Sequence, residues 1–181
     1  SYVPELYIGE PKGLPELDYM QNLALEVLAE KTDKDVDVLY FNSGNSGGCR
    51  PKSLYKDEEG DWILKFRHIN DPKDMGKMEY QYNKAARASG INVPDFKLIE
   101  NKYFATKRFD IEDQRLHTAT AGALLNQSIH YPALTYENLL ALTGVITQDP
   151  VQVEEMFRRM VFNILAENKD DHAKNFSFYY R

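Results

Sequence analysis

Apolar positions along this chain follow two periodicities, and the two alternate in a definite order. Leu17, Met20, Leu23, Ala24, Val27 and Leu28 recur at helical spacing and predict an amphipathic helix over 16–31. The Pro- and Gly-rich stretch before it, to Pro15, reads as irregular. Residues 36–41 are dense in β-branched and aromatic types and predict a strand, which Asn42-Ser43-Gly44-Asn45-Ser46-Gly47-Gly48 breaks. Strands over 50–56 and 61–66 flank Asp57-Glu58-Glu59-Gly60, a sequence suited to a hairpin turn. Asp71-Pro72 predicts a helix start, with Asp as N-cap and Pro at the first helical position. Met75, Met78, Tyr82, Ala85 and Ser89 then trace its inward face, Gly90 stops it and Pro94 follows. Residues 96–100 and 103–109 predict a second hairpin turning at Asn101-Lys102.

After Asp110 the pattern becomes helical. One helix is expected over 119–127 and a second over 135–147. A third opens at Asp149-Pro150, with Gln152 three residues after the Asp as in a capping box. It directs Val153, Met156, Phe157, Met160, Val161, Ile164 and Leu165 inward and ends near Asn168. A short apolar strand over 176–180 follows. The expectation is an α+β chain with a strand-rich lobe over 1–110 and a helical lobe over 111–181, the layout of a two-lobed nucleotide-binding enzyme.

Composition narrows this. Cys49 is the single cysteine among 181 residues, so neither an intrachain disulfide nor a Cys-based metal cage is possible, and a reducing cytoplasm fits. No apolar run approaches a bilayer span, so no membrane partner is expected. A formal charge of -6 makes direct nucleic-acid binding a poor expectation. His68, His117 and His130 are scattered without ligand spacing, and no G-x-S-x-G hydrolase elbow occurs. The chain opens at Ser1 without Met, basic leader or apolar leader, and reads as a tag remnant or an internal cut.

Four features bear on chemistry. Gly44, Asn45, Ser46, Gly47 and Gly48 lie between two expected strands. Glycines let backbone N–H groups converge on an anion, although a plain turn explains them as well. Lys65 lies in the strand expected over 61–66 and Glu79 sits on the next helix. A strand lysine paired with a helix glutamate is how protein kinases hold the α- and β-phosphates, while an edge lysine and a surface glutamate are the bland alternative. Asp170 and Asn175 carry the D-x-x-x-x-N spacing of kinase catalytic loops, in which the Asp reaches the attacking hydroxyl and the Asn ligates Mg2+. Lys174 between them can neutralise charge on a γ-phosphate, and His172 can orient or assist Asp170. A solvated polar loop is the competing reading. The order of glycines, lysine, glutamate and D-x-x-x-x-N loop is the order a kinase needs.

Gly44-Asn45-Ser46-Gly47-Gly48-Cys49-Arg50-Pro51-Lys52, Trp62-Ile63-Leu64-Lys65-Phe66, Lys107-Arg108-Phe109-Asp110 and the stretch from Phe157 through Asp170-Asp171-His172-Ala173-Lys174-Asn175-Phe176 resemble the HipA-like serine/threonine kinases, the toxins of type II toxin–antitoxin modules. The last loop also resembles, more loosely, that of phosphoinositide-kinase-like enzymes. The resemblance implies ATP- and Mg2+-dependent phosphorylation of a protein hydroxyl. It makes Asp170 the base, Asn175 a metal ligand, His172 and Lys174 loop supports, and Lys65 a phosphate holder beside Glu79. The backbone around Lys107, Arg108 and Phe109 would meet adenine. It further implies a helix-turn-helix antitoxin as partner, contact with nucleic acid only through it, and a tRNA synthetase as a class of target. The chain stops at Arg181, before the family's second metal-binding Asp, so a truncated and inactive fragment is expected. The family's autophosphorylated Ser falls nearest Asn45, between Ser43 and Ser46. The alternatives are a phosphoinositide or small-molecule kinase using the same loop, or a non-catalytic interaction or regulatory module.

Overall fold

Two tight turns set the geometry of the first sheet. In this computed structural model, which describes residues 16–29, 50–112, 114–126 and 134–180, β1 (Lys52–Asp57) and β2 (Gly60–Lys65) pair antiparallel with Asp57 opposite Gly60. Asp57 closes the turn by accepting from the Glu59 N–H at 3.0 Å and the Trp62 indole at 2.8 Å. Gly60 has φ 128°, a backbone region that a side chain rarely tolerates. The second hairpin joins β3 (Phe96–Ile99) to β4 (Tyr103–Lys107). Its Glu100 and Asn101 have φ 51° and 53°, the left-handed pair whose twist matches a tight hairpin. β4 pairs antiparallel with β2, giving the order β1-β2-β4-β3. The strand expected over 36–41 lies outside the described residues.

Each face of this sheet receives a helix. On one face α1 (Leu17–Leu28) places Leu17 and Met20 against Leu64, Phe66 and Tyr103, and these five form the buried cluster. Gln21 joins the same face at the sheet edge. Its amide donates to the Arg67 carbonyl at 3.2 Å and accepts from the Arg67 N–H at 2.9 Å, so a buried polar side chain is satisfied as a strand would satisfy it. On the opposite face, Tyr80 of α2 (Met75–Ala88) meets Phe96 edge-on at 5.4 Å. Phe96 in turn lies 6.2 Å from Phe104.

α2 departs from expectation in two ways. It begins at Met75, not at Pro72, because the Asp71 carboxylate does not cap it. Asp71 instead takes a two-pronged bond from Arg50, at 2.8 and 3.0 Å, and one from the His68 N–H at 2.8 Å. The inward face is also rotated. Of the expected face Met75 is half-buried, but Met78, Tyr82, Ala85 and Ser89 are exposed, and Gly76, Glu79, Tyr80, Asn83 and Ala86 are the other sheltered positions. Gly76 decides this: a Cβ there would stand 2.1 Å from the Lys102 carbonyl oxygen, so the helix lies directly on the β3–β4 turn at its glycine. Gly90, at φ 79°, ends the helical stretch as expected.

The described residues up to 83, with 94–108, form one compact unit; 84–93 and 109–180 form another. In the second, β5 (His117–Thr120) pairs antiparallel with β6 (Ser177–Tyr180). Residues 117–120 are therefore a strand, and the helix expected over 119–127 shrinks to α3 (Ala121–Leu124). The pairing to β6 claims backbone groups that a helix would have used. α4 (Tyr136–Thr147) is capped by the Thr135 hydroxyl, which accepts from the Asn138 N–H at 3.2 Å. α5 (Pro150–Leu165) is capped by Asp149, which accepts from the Val151 N–H at 2.9 Å. Gln152 does not complete the capping box; the Asp149 N–H donates to the Thr147 hydroxyl at 3.3 Å. No residue of α5 is fully buried, and Phe157, Val161, Ile164 and Leu165 of the expected inward face are exposed. Amphipathic spacing fixes a helix's apolar stripe but not whether anything covers it. Among the described residues no helix is long and apolar enough to cross a membrane.

Candidate functional site

In the first unit, Lys65 closes β2 opposite Phe104 of β4, and alternation puts both on the α2 face of the sheet. The rotated register of α2 brings Glu79 to the same place. Lys65 Nζ stands 3.1 Å from Glu79 Oε2 and 5.4 Å from the Phe104 ring centroid. That carboxylate oxygen is buried and takes no hydrogen bond of good geometry, so the ammonium is its electrostatic partner. The Lys65 side chain as a whole remains one-third exposed. A cation so held is preorganised for an anionic group, and its flexible stem is restrained by the glutamate.

Lys107 and Arg108 sit at the end of β4. The Lys107 N–H donates to the Asp95 carbonyl at 2.7 Å and the Arg108 N–H to the Asp61 carbonyl at 2.9 Å. Both main-chain donors are thus committed. Gly44, Asn45, Ser46, Gly47 and Gly48 lie outside the described residues.

In the second unit the loop following α5 is built from the helix end outward. The Glu167 N–H donates to the Ile164 carbonyl at 3.3 Å and the Asn168 N–H to the Asn163 carbonyl at 2.9 Å. With Glu167 at φ 51°, this is a Schellman close carried by a residue other than glycine. Asn168 then acts twice: its amide donates to Asn163 Oδ1 at 3.2 Å, and its Oδ1 accepts from the Asp170 N–H at 3.1 Å. Asn175 Nδ2 donates to the Asp170 carbonyl at 2.6 Å. The two residues of the D-x-x-x-x-N spacing are therefore bonded to each other, through the main chain of the first.

His172 links the same residues. Its Nδ1 accepts from the Lys174 N–H at 3.3 Å, so the ring proton belongs on Nε2, which stands 3.3 Å from Asp170 Oδ1. In this tautomer the Nε2–H lies near the Asp170 carboxylate, a close electrostatic contact and not a hydrogen bond of good geometry. The Asp170 side chain is 74% exposed. The Lys174 side chain is exposed beside it. The base of the loop is fixed by α3: the Ala121 N–H donates to the Phe176 carbonyl at 2.8 Å and the Gly122 N–H to the Ala173 carbonyl at 3.1 Å. Ala173 is wholly buried against Gly122, where a Cβ would lie 3.5 Å from its methyl.

Asn175 also offers a hard oxygen. Its Nδ2 is used, its Oδ1 is not engaged by that bond, and an amide oxygen is a ligand type that Mg2+ accepts. Among the described residues no group of three or more His, Cys, Asp or Glu side chains converges on a metal position.

Three residues hold this loop in ways that the motif does not assign: Tyr136, Asn163 and Asn168. Tyr136, from the start of α4, donates to Asp171 Oδ2 at 2.6 Å and accepts from Asn163 Nδ2 at 3.0 Å. Asn168 caps the loop. Asn163 carried the one available signal, a lone amide inside the apolar run Met160-Val161-Phe162-Asn163-Ile164-Leu165. Nothing in the sequence marks Tyr136.

Comparison with curated proteins yields no match. Comparison with protein families does: the model described as HipA-like C-terminal domain matches residues 44–181, which include Lys65, Glu79 and the whole 168–175 loop. A match over well more than half of the chain establishes kinship, and the chain belongs to the family of HipA-like C-terminal domains.

Proposed function

We propose that this chain carries the nucleotide and catalytic elements of an ATP-dependent serine/threonine protein kinase of the HipA type, in a two-lobed kinase-like arrangement. Family membership supports the reading, and the observation that carries it is the Lys65–Glu79 ion pair at 3.1 Å. A strand lysine held by a helix glutamate is the phosphate grip of protein kinases. Lys65 binds the α- and β-phosphates, and Glu79 keeps its ammonium in place. The glycines from Gly44 to Gly48 lend main-chain donors to the phosphates. Adenine meets the backbone around Lys107, Arg108 and Phe109 by groups other than the N–H of Lys107 and of Arg108, which are taken.

At the loop, Asp170 accepts the proton of the substrate hydroxyl as that oxygen bonds to the γ-phosphorus and the bond from phosphorus to the β,γ-bridging oxygen breaks, ADP leaving with the electron pair. His172, with Nε2 3.3 Å from the carboxylate, assists it electrostatically, and Lys174 meets the charge developing on the transferred group. Asn175 Oδ1 would hold Mg2+, which when bound neutralises phosphate charge. The substrate is a protein hydroxyl, with a tRNA synthetase as the class of target. A helix-turn-helix antitoxin is the partner that meets nucleic acid, and the setting is the cytoplasm. These partners follow from kinship alone.

The test is γ-phosphate transfer by the protein at its full natural length, with Mg2+ and ATP, on protein substrates and on phosphoinositides. Asp170→Ala should lower the rate about a hundredfold or more. Transfer that is indifferent to this substitution would remove the mechanism. Transfer to the lipid headgroup alone would move the protein to another kinase class.

A further inference from the structure

The loop that carries Asp170 is held by hydrogen bonds whose donors all point the same way. The Asp170 N–H donates to Asn168 Oδ1 at 3.1 Å, and Asn168 Nδ2 donates to Asn163 Oδ1 at 3.2 Å. Asn163 Nδ2 donates to the Tyr136 oxygen at 3.0 Å, and the Tyr136 hydroxyl donates to Asp171 Oδ2 at 2.6 Å. The run starts at the main chain of one loop residue and ends on the carboxylate of the next. Between them it passes through α5 and the first residue of α4.

Three physical consequences follow. Donors aligned head to tail polarise one another, and a carboxylate at the end of the run strengthens each link. Each side-chain amide is used at both ends, which fixes its orientation. The ring is also closed: with Asp170 and Asp171 adjacent, the loop cannot shift without breaking a link. The Tyr136 ring is itself fixed by an edge-on contact with Phe176 at 6.0 Å, and Phe176 directly follows Asn175. An exposed carboxylate on a loop has no rigidity of its own, so its aim must come from partners of this kind.

We propose that Tyr136 is a positioning residue for the Asp170 loop, acting through Asp171 on one side and through Asn163 and Asn168 on the other. It touches neither substrate nor nucleotide. Its hydroxyl is the joint at which helix and loop are locked, and the aim of the Asp170 carboxylate depends on it. The catalytic half of this inference rests on the kinase reading above; the loop-holding half does not.

The experiment has two readouts on the full-length protein. Amide exchange measured by NMR reports on the Asp170 N–H directly. Tyr136→Phe keeps the ring and removes the joint, and should speed exchange at Asp170 about tenfold, the worth of one ordinary hydrogen bond, with α4 and α5 amides unchanged. Asp171→Ala should do the same without touching a helix, which keeps the test decisive if the tyrosine variant folds poorly. Asp171→Asn retains an acceptor oxygen and should restore slow exchange. In the kinase assay, Tyr136→Phe should lower kcat about tenfold and leave KM for ATP within about twofold, because aim is lost and binding is not. Unchanged exchange at Asp170 in both Tyr136→Phe and Asp171→Ala overturns the inference. Faster exchange with unchanged kcat also overturns it, as the joint would then serve stability only. Faster exchange in a protein without any transfer activity leaves the joint standing and sinks the kinase reading alone.

Discussion

Gly76→Ala puts the relation between fold and site to a quantitative test. The added methyl would stand 2.1 Å from the Lys102 carbonyl oxygen and 3.1 Å from both the Lys102 carbonyl carbon and the Phe104 nitrogen. All three are main-chain atoms of the β3–β4 hairpin, whose turn residues are already held at left-handed φ, so no side chain can swing aside. Relief to an ordinary contact requires α2 to lift about 1 Å from the sheet. Two effects compete. Alanine in a helix is better than glycine by about 0.5–1 kcal/mol, while overpacking of this kind costs about 1–3 kcal/mol. The clash wins, and a net loss of about 1–2 kcal/mol is expected, read as a lower urea midpoint at constant m-value. Glu79 follows Gly76 by one turn on the same helix face, so a lift of this size also pulls its carboxylate from Lys65, now at 3.1 Å. On the kinase reading proposed above, ATP affinity should therefore fall together with stability. A Gly76→Ala protein as stable as the parent, or more stable, would refute the close approach, and with it the reason for the helix register that places Glu79.

Two further outcomes can be checked. Lys65→Met leaves the buried Glu79 oxygen without its cation and should cost about 1–3 kcal/mol in urea unfolding; adding Glu79→Gln should recover part of that loss, and simple additivity of the two changes would count against a coupled pair. Burial, and then the hydrogen bond donated to the Asp18 carboxylate, push the Tyr103 phenol up to about 12. A raised folded value means that this contribution to stability is whole below pH 10 and declines as pH climbs towards 12. Tyr103→Phe should flatten that alkaline decline, measured as the denaturation midpoint at several pH values, and an unaltered slope would speak against the contact.

Some of this structure was legible one segment at a time. Asn101 beside a strand-rich stretch announced a turn, Thr135 and Asp149-Pro150 announced helix starts, and Gly90 announced a stop; each depends on bonds within a few residues. Asp71-Pro72 carried the same kind of signal and misled, because Arg50, twenty-one residues back, holds the carboxylate. The stretch 117–120 misled for a like reason: its strand exists only through β6, far along the chain. At the site, the Asp170–Asn175 spacing and the order of Lys65 and Glu79 were visible, whereas Tyr136 was not, since its partner Asp171 lies thirty-five residues on.

Local chemistry in the chain was thus enough to specify the turns, most helix ends, the α+β class and the loop that bears the acid and the amide. Which side of α2 meets the sheet, and hence that Glu79 reaches Lys65, was decided in three dimensions, at the one position where a helix without a side chain can rest on a hairpin's main chain. Periodicity names a stripe of side chains. Only contact between distant segments selects what that stripe will touch, because the atoms that exclude or admit it belong to another part of the sequence.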